Sequence, residues 1–427
     1  MEIWHLKPNH LQIRENNSLK IFLFSALLIW TGSVIQGQIS VHELTGADLN
    51  RIQTAVPFLT IAPDGRSSGM GDVGAASTPD LNSQHWNSGK YAFVEGKGGM
   101  ALTYTPWITN LIPDVTHLYL ASYYKIDNKS TVSSSLRYFS LGTITFSSIG
   151  GPVVGVYHPR EFALDAGFSR KFTDHFSGGV VLRYICSDLT HGQPAASGDE
   201  TNAGTSFAGD LGFYYQDDIQ VGEKDAQWAA GLNISNVGTP ISYTEDADKT
   251  PIPTNLRLGG RFSYNINENN TLSIHADLNK LLVPTPPVYM TDSATNDQII
   301  VRGKAAPESV ILGMFQSFYD APGVDRGNGV YSIAAEEFNE IYYGLGAEYK
   351  YRNRFVIRTG YFHEHSSKGN RKYFTMGVGT QFSIFSLDFS YLVPTKGHNH
   401  PLSNTFRLML TATFGTIATP PNNGITL

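Results

Sequence analysis

The chain has 427 residues, of which 41% are hydrophobic, 16% charged and 12% aromatic, with 42 Gly, 22 Tyr and a formal net charge of -6. That length suits two soluble domains or one large barrel, and the pale, aromatic-rich, Gly-rich mixture leans towards strands and turns of the kind β-barrels use. The negative balance excludes the broad basic surface needed to neutralise phosphates, so nucleic acid is not an expected partner.

In chain order, Lys7, Arg14 and Lys20 precede an apolar run at 21–30 and smaller residues through Gly32, Ser33 and Gly37. This is the order of a secretory signal, and residues 1–37 are expected to be cleaved, leaving Gln38 first. About ten apolar residues cannot cross a hydrocarbon core that needs about twenty, so an anchor is the weaker reading. No later stretch is long enough for a membrane helix, which leaves the exported chain either soluble or a barrel.

Residues 38–99 contain no clear strand run, yet they are too apolar and specific for a linker. The stretches around Pro57, Phe58, Asp64, Arg66 and from Asn82 and Ser83 to Trp86 and Asn87 suggest a folded hatch. A wide barrel would otherwise leave an aqueous lumen.

From 100 to 415 the sequence breaks into period-two segments near the length of a tilted membrane strand. Phe162, Leu164, Ala166 and Phe168 oppose Ala163, Asp165, Gly167 and Ser169. Leu272, Ile274, Ala276 and Leu278 oppose Ser273, His275, Asp277 and Asn279, and Phe385, Leu387, Phe389 and Tyr391 oppose Ser386, Asp388 and Ser390.

Such alternation suits a sandwich or a barrel, so connection lengths must decide. About fourteen candidates begin near Met100, Leu118, Val132, Glu161, His175, Ser206, Gln227, Asn255, Thr271, Ile341, Arg354, Tyr373, Phe385 and Phe406. Short turns at 173–174, 265–270, 352–353 and 383–384 alternate with long polar links at 187–205, 238–254 and 282–340. That parity is the habit of outer-membrane barrels, and an even strand count returns both termini to the periplasm. The link 216–226 is longer than the parity wants. A helix is expected at 307–319, with Pro307 and Glu308 in its first turn and Gly313 weakening its middle. A tail, 416–427, follows the last strand.

The fold class is therefore all-β, a transmembrane antiparallel barrel of about 14 strands with an N-terminal plug. Here the chain resembles the PorV family of the type IX secretion system, a branch of the FadL-like outer-membrane proteins. The resemblance is carried by residues 54–64 (TAVPFLTIAPD), 69–74 (GMGDVG), 80–87 (DLNSQHWN), 90–93 (KYAF), 104–107 (YTPW) and 135–142 (SLRYFSLG). It places Gly69, Gly71 and Asp72 in the hatch signature. Where the family usually reads Asn-Pro-Ala, this chain has Asn87, Ser88 and Gly89, which replaces a Pro-fixed bend by a looser one.

The resemblance implies a fourteen-stranded barrel with a hatch. The implied role is to bind the C-terminal signal domain of cargo emerging from the type IX translocon and pass it to a sortase-like surface protease. Outer-membrane lipid is the remaining partner. A FadL-like channel for hydrophobic small molecules is the alternative.

No catalytic, cofactor or metal site is expected. Gly69, Gly71 and Gly74 fit GxGxxG, but a dinucleotide site needs a strand before and a helix after, whereas Pro57, Pro63 and Pro79 flank this block. His363 with His365 and His398 with His400 each supply only two imidazoles, in outer loops. Cys186, the only cysteine, excludes an intramolecular disulfide and reads as a small apolar filler without a basic neighbour. No Ser sits in GxSxG.

Tyr214, Tyr215, Trp228, Tyr342, Tyr343 and Tyr361 could form interfacial girdles. Arg137, Asp165, Arg183, Asp210, Arg257, Asp277, Arg358 and Asp388 fall on polar strand faces, where burial would force them to pair and hold the hatch rather than conduct ions.

Overall fold

The structure is a computed structural model and describes residues 50–112, 114–147, 153–192, 200–244, 249–293, 295–327, 329–395 and 400–415. The expected leader, the start of the expected hatch (38–49), the tail at 416–427 and His398 lie outside them.

Fourteen antiparallel strands close into a barrel. They are β1 (Gly98–Pro106), β2 (Thr116–Lys125), β3 (Ser130–Ser140), β4 (Arg160–Lys171), β5 (Phe176–Asp188), β6 (Gly204–Val221) and β7 (Lys224–Gly238). The circuit continues with β8 (Asn255–Asn267), β9 (Asn270–Leu281), β10 (Ile341–Tyr351), β11 (Phe355–His363), β12 (Lys372–Phe382), β13 (Phe385–Pro394) and β14 (Phe406–Phe414). Each strand pairs with its chain neighbours, and β1 closes the ring on β14 through the register Gly98↔Phe414 to Tyr104↔Leu408. No helix among the described residues is long and apolar enough to cross a membrane, and strands do the crossing.

The faces follow the alternation read from the sequence. Leu164, Phe168, Ile274, Leu278, Leu387 and Leu410 are exposed on the outside, while Asp165, Ser169, His275, Asp277 and Ser390 are buried on the inside. In a monomer, such a band of exposed apolar side chains is tolerable only against lipid.

Turn parity is complete. The link expected to break it does not, because β6 and β7 stay paired as far as Val221↔Lys224. They turn through 222–223, with Gly222 at φ +63 supplying the left-handed conformation of a tight hairpin. Arg352 and Asn353, both at positive φ, make another such turn. One rim thus carries short turns, the periplasmic side in outer-membrane barrels, and the other carries all the long connections.

The long-loop rim holds structure that period-two reading missed. Hairpins Val288–Thr291 with Gln298–Arg302 and Ile144–Ser147 with Val153–Tyr157, and helix Ile333–Asn339, are too short to leave a pattern. The helix expected at 307–319 is shorter, Val310–Gln316, because the Ser309 hydroxyl caps it by accepting from the Leu312 amide. Gly313 has a packing role: a Cβ there would stand 3.2 Å from Pro284. Tyr214 and Tyr342, expected in girdles, are buried inside the barrel, whereas Tyr215 packs at a tilt on Trp228, ring centres 5.0 Å apart, near the short-turn rim. Tyr343 and Tyr361 both pack on His363 near the other rim.

Ile274 lies mid-strand on the outer face of β9. Ile274→Arg should cost about 2–4 kcal/mol of folding stability in lipid vesicles, measured by urea titration. An unchanged midpoint would place this face out of the hydrocarbon.

Candidate functional site

The described chain before β1 lies within the barrel and runs from one rim to the other. At the long-loop rim, Asn50 Nδ2 donates to the Pro286 carbonyl at 3.3 Å and the Ala55 amide donates to Pro251 O at 2.9 Å. At the short-turn rim, the Lys97 amide donates to Phe414 O at 2.8 Å. The even strand count brings the two ends of the barrel together, as Gly98 and Phe414 show, and Asn50 stands at the opposite rim.

The outer part of this inner segment is apolar. Val56, Phe58, Leu59 and Ile61 cluster with Val115, Phe139, Ile185, Ile241 and Ile252, and Phe58 stacks on Phe139 at 6.0 Å. Pro57 opens the turn Pro57–Thr60, where a missing N–H costs nothing.

Below it the contacts become ionic. Asp64 caps the turn Gly65–Ser68 by accepting from the Arg66 and Ser67 amides at 3.0 and 2.7 Å, and its other oxygen accepts from Trp86 Nε1 at 2.6 Å. Arg66 donates from Nε and Nη2 to Glu348 on β10, both at 3.1 Å, and from Nη1 to Asp80 at 2.9 Å. Glu348 also accepts from Arg358 Nε at 2.7 Å, and Arg358 reaches Asp388 at 2.5 Å. An alternating chain, Asp80, Arg66, Glu348, Arg358 and Asp388, thus ties the segment to β10, β11 and β13.

The remaining signature residues sit against the wall or brace the segment. The Gly71 amide donates to Thr375 Oγ1 at 2.8 Å, and Asp72 accepts from the Tyr373 hydroxyl at 2.6 Å. Asn82 Nδ2 points at the Met409 sulfur at 3.2 Å, and the Ser83 hydroxyl accepts from the Asp80 amide at 3.1 Å. Trp86 lies under the Arg257 guanidinium at 4.5 Å. Asn87 Nδ2 donates to Ala75 O at 3.0 Å and to Phe213 O at 2.8 Å.

The bend at 87–89 is tighter than its lost proline suggests, because Asn87 Oδ1 accepts from the Gly89 amide at 3.0 Å and caps the turn Ser88–Phe93.

The glycine block packs against the wall. Gly71 is at φ +74, and a Cβ on it would meet Leu345 O at 2.7 Å. A Cβ on Gly360 of the wall would meet Met70 C at 2.1 Å, so glycines on both sides let two backbones touch.

Of the wall charges expected to hold this segment, Asp277 accepts from the Gly74 and Ala75 amides at 2.7 and 2.9 Å, and Arg137 donates to Leu59 O at 3.1 Å. Arg183 instead pairs within the wall, with Asp165 at 2.7 Å and Asp210 at 2.9 Å. Sequence reading missed Glu348, whose signal was its place on the inward face of β10 after Gly344 and Gly346. It also missed Asp80 and Lys90; Lys90 is fully buried and donates to Gly74 O and Ser77 Oγ.

His363 stacks on Tyr343 at 4.9 Å, His365 Nδ1 bonds the Ser367 hydroxyl, and His400 Nδ1 accepts from the Leu402 amide. Among the described residues no three His, Cys, Asp or Glu side chains gather as a metal set.

Burial raises the Asp64 carboxyl from 3.8 to about 6, with Asp80 adding to the rise. The folded chain then keeps a proton that the unfolded chain releases near 3.8, so this group's contribution to stability falls as pH rises from about 4 to about 6. Asp64→Asn should flatten that part of the profile of unfolding midpoint against pH. Glu348→Ala leaves Arg66 with Asp80 alone and Arg358 with Asp388 alone and should cost about 1–3 kcal/mol in denaturant titration. The same variant should raise ion conductance across planar bilayers; silent bilayers would show that this ion-pair chain does not hold the segment shut.

A family model described as type IX secretion system protein PorV matches residues 45–288. No curated protein matches the chain. Among solved structures, the Ralstonia pickettii toluene transporter TbuX is 11% identical, covering 82% of this chain and 96% of its own, with a TM-score of 0.40. The TodX deltaS2S3 mutant, a monoaromatic hydrocarbon channel, is 12% identical over 82% of this chain and 98% of its own, with a TM-score of 0.48. A Pseudomonas aeruginosa FadL homologue is 10% identical over 83% and 98%, with a TM-score of 0.37. The family match spans more than half of the sequence, and the chain belongs to the PorV family of type IX secretion system outer-membrane proteins.

Proposed function

We propose that this outer-membrane protein binds the C-terminal signal domain of cargo leaving the type IX translocon and carries it to a sortase-like protease at the cell surface. The inner segment is its hatch, and the work is done by the long loops outside.

The observation that carries this reading is the connection 282–340. Its hairpin exposes Tyr289, Met290, Ile299, Ile300 and Val301, and its helix Val310–Gln316 exposes Ile311, Leu312 and Phe315. So much apolar surface on an outer loop marks an interaction site. Its base is held firmly, with Lys280 Nζ 2.5 Å from Glu340 and Lys368 Nζ 2.9 Å from Glu340 and 2.7 Å from Glu336. An isolated hairpin with open edges suits a β-rich cargo domain, which can extend it strand by strand.

The solute-channel alternative needs an apolar way through. Two cavities of about 480 and about 410 Å³ open near the short-turn rim, but Arg66, Asp80, Arg261, Glu348, Lys350 and Asp388 line them, which favours the shuttle.

Ile299→Asp combined with Ile300→Asp should abolish surface attachment of cargo while leaving the barrel at normal levels in the outer membrane, followed by immunoblotting of cell fractions. Normal display and processing in a gene-deletion strain would reject the role outright. Uptake of a labelled hydrocarbon by liposomes containing the protein would favour the channel.

A further inference from the structure

Most buried arginines of the lumen have their charge met. Arg66, Arg137, Arg183 and Arg358 each lie within 3.4 Å of a carboxylate. Arg257 and Arg261 have no such partner but donate to several oxygens, including Asn279 and Gln227.

Arg407 on β14 differs from both groups. It is 1% exposed, its Nε donates to the Ala62 carbonyl at 2.9 Å, and its Nη2 has no hydrogen-bond partner. The carboxylate of Asp388 on neighbouring β13 is engaged by Arg358.

The neighbours of Arg407 share this condition. Tyr104 pairs with Leu408 between β1 and β14, and one further step of the same register sets Thr105 beside Arg407. Thr105 pairs in turn with His117 of β2. Thr103 and Thr105 point the same way along β1, and Thr405 precedes Arg407 on the same face. The hydroxyls of Thr103, Thr105 and Thr405 and both ring nitrogens of His117 are buried without a partner. Each hydroxyl and one of the two ring nitrogens can donate, and Thr105 and His117 stand at the level of a guanidinium that has the Trp107 ring at 5.8 Å but no carboxylate partner.

Water could satisfy the hydroxyls and the ring, yet it brings no charge, and a guanidinium withdrawn from water without a counter-charge is heavily penalised. From this geometry we infer a binding site for one small monovalent anion of halide size between β14, β1, β2 and the chain at Ala62. The anion takes donation from Arg407 Nη2, the Thr105 hydroxyl and His117. It would fasten the inner segment at the seam where the barrel closes, on the side of the lumen away from Asp277.

The test uses the full-length protein purified in detergent. At constant ionic strength, replacing isethionate by bromide should raise the thermal midpoint of the wild type along a saturable curve, and Arg407→Met should not respond. Crystals grown in bromide should show an anomalous peak beside Arg407. Equal midpoints in the two salts, an undiminished response in Arg407→Met, or a site filled by water alone would overturn the inference. Should Arg407→Met fail to fold, Thr105→Val keeps the charge and removes one donor. It should raise the half-saturating bromide concentration about tenfold, the worth of one hydrogen bond to an ion; an unchanged curve would count equally against the site.

Discussion

Hydrocarbon offers no hydrogen bonds, so a strand that crosses it must have every backbone polar group met by a neighbouring strand. That constraint forces β1 to find β14, and the rest of the molecule follows from the closed ring. Fourteen strands enclose a lumen too wide for wall side chains alone to fill, and the inward half of each alternating strand is therefore free to be polar and to serve whatever occupies the bore.

The occupant is matched to the wall in two different ways along its length. Near the long-loop rim the contact is apolar, with Phe58 and Leu59 against Phe139 and Ile185. Deeper in, it is a contact of backbones and charges, in which wall glycines admit residues 69–75 and the carboxylates of Glu348 and Asp277 meet Arg66 and the amides at Gly74 and Ala75. Each buried ion there is costly alone and tolerable in company, which makes the arrangement specific to one seating of the segment rather than a general source of stability. With the bore filled this way, the apolar side chains of Tyr289, Ile299, Ile300, Ile311 and Leu312 stand on the long-loop rim over a buried ionic footing.

Where expectation and structure part, the cause is local chemistry that overrides a pattern. The 216–226 link reads as a loop because its residues are polar, yet Asp217, Asp218 and Gln220 continue as strand beyond the barrel wall, where both faces meet water and alternation carries no signal. Tyr214 and Tyr342 read as girdle residues from their place near strand ends, but parity with Gly212 and Gly344 turns them inward. Ser88, standing where a proline is usual, keeps its bend because Asn87 supplies from its side chain the constraint the ring would have given.

The sequence alone determined the class, the strands and the rims. Period-two alternation is a property of neighbouring residues, and turn parity is a property of spacing, so both survive in one dimension and fixed the starts of β1 to β14 to within a few residues. The inner segment was legible as a block too apolar for a linker, and the charges on polar faces were legible as groups that must pair. Their partners were not. Arg66 and Glu348 are separated by 282 positions, and Asp277 meets Gly74 across 203. No periodicity links such residues, because only closing the barrel and threading the segment through it sets which inward side chain stands opposite which atom of the chain inside.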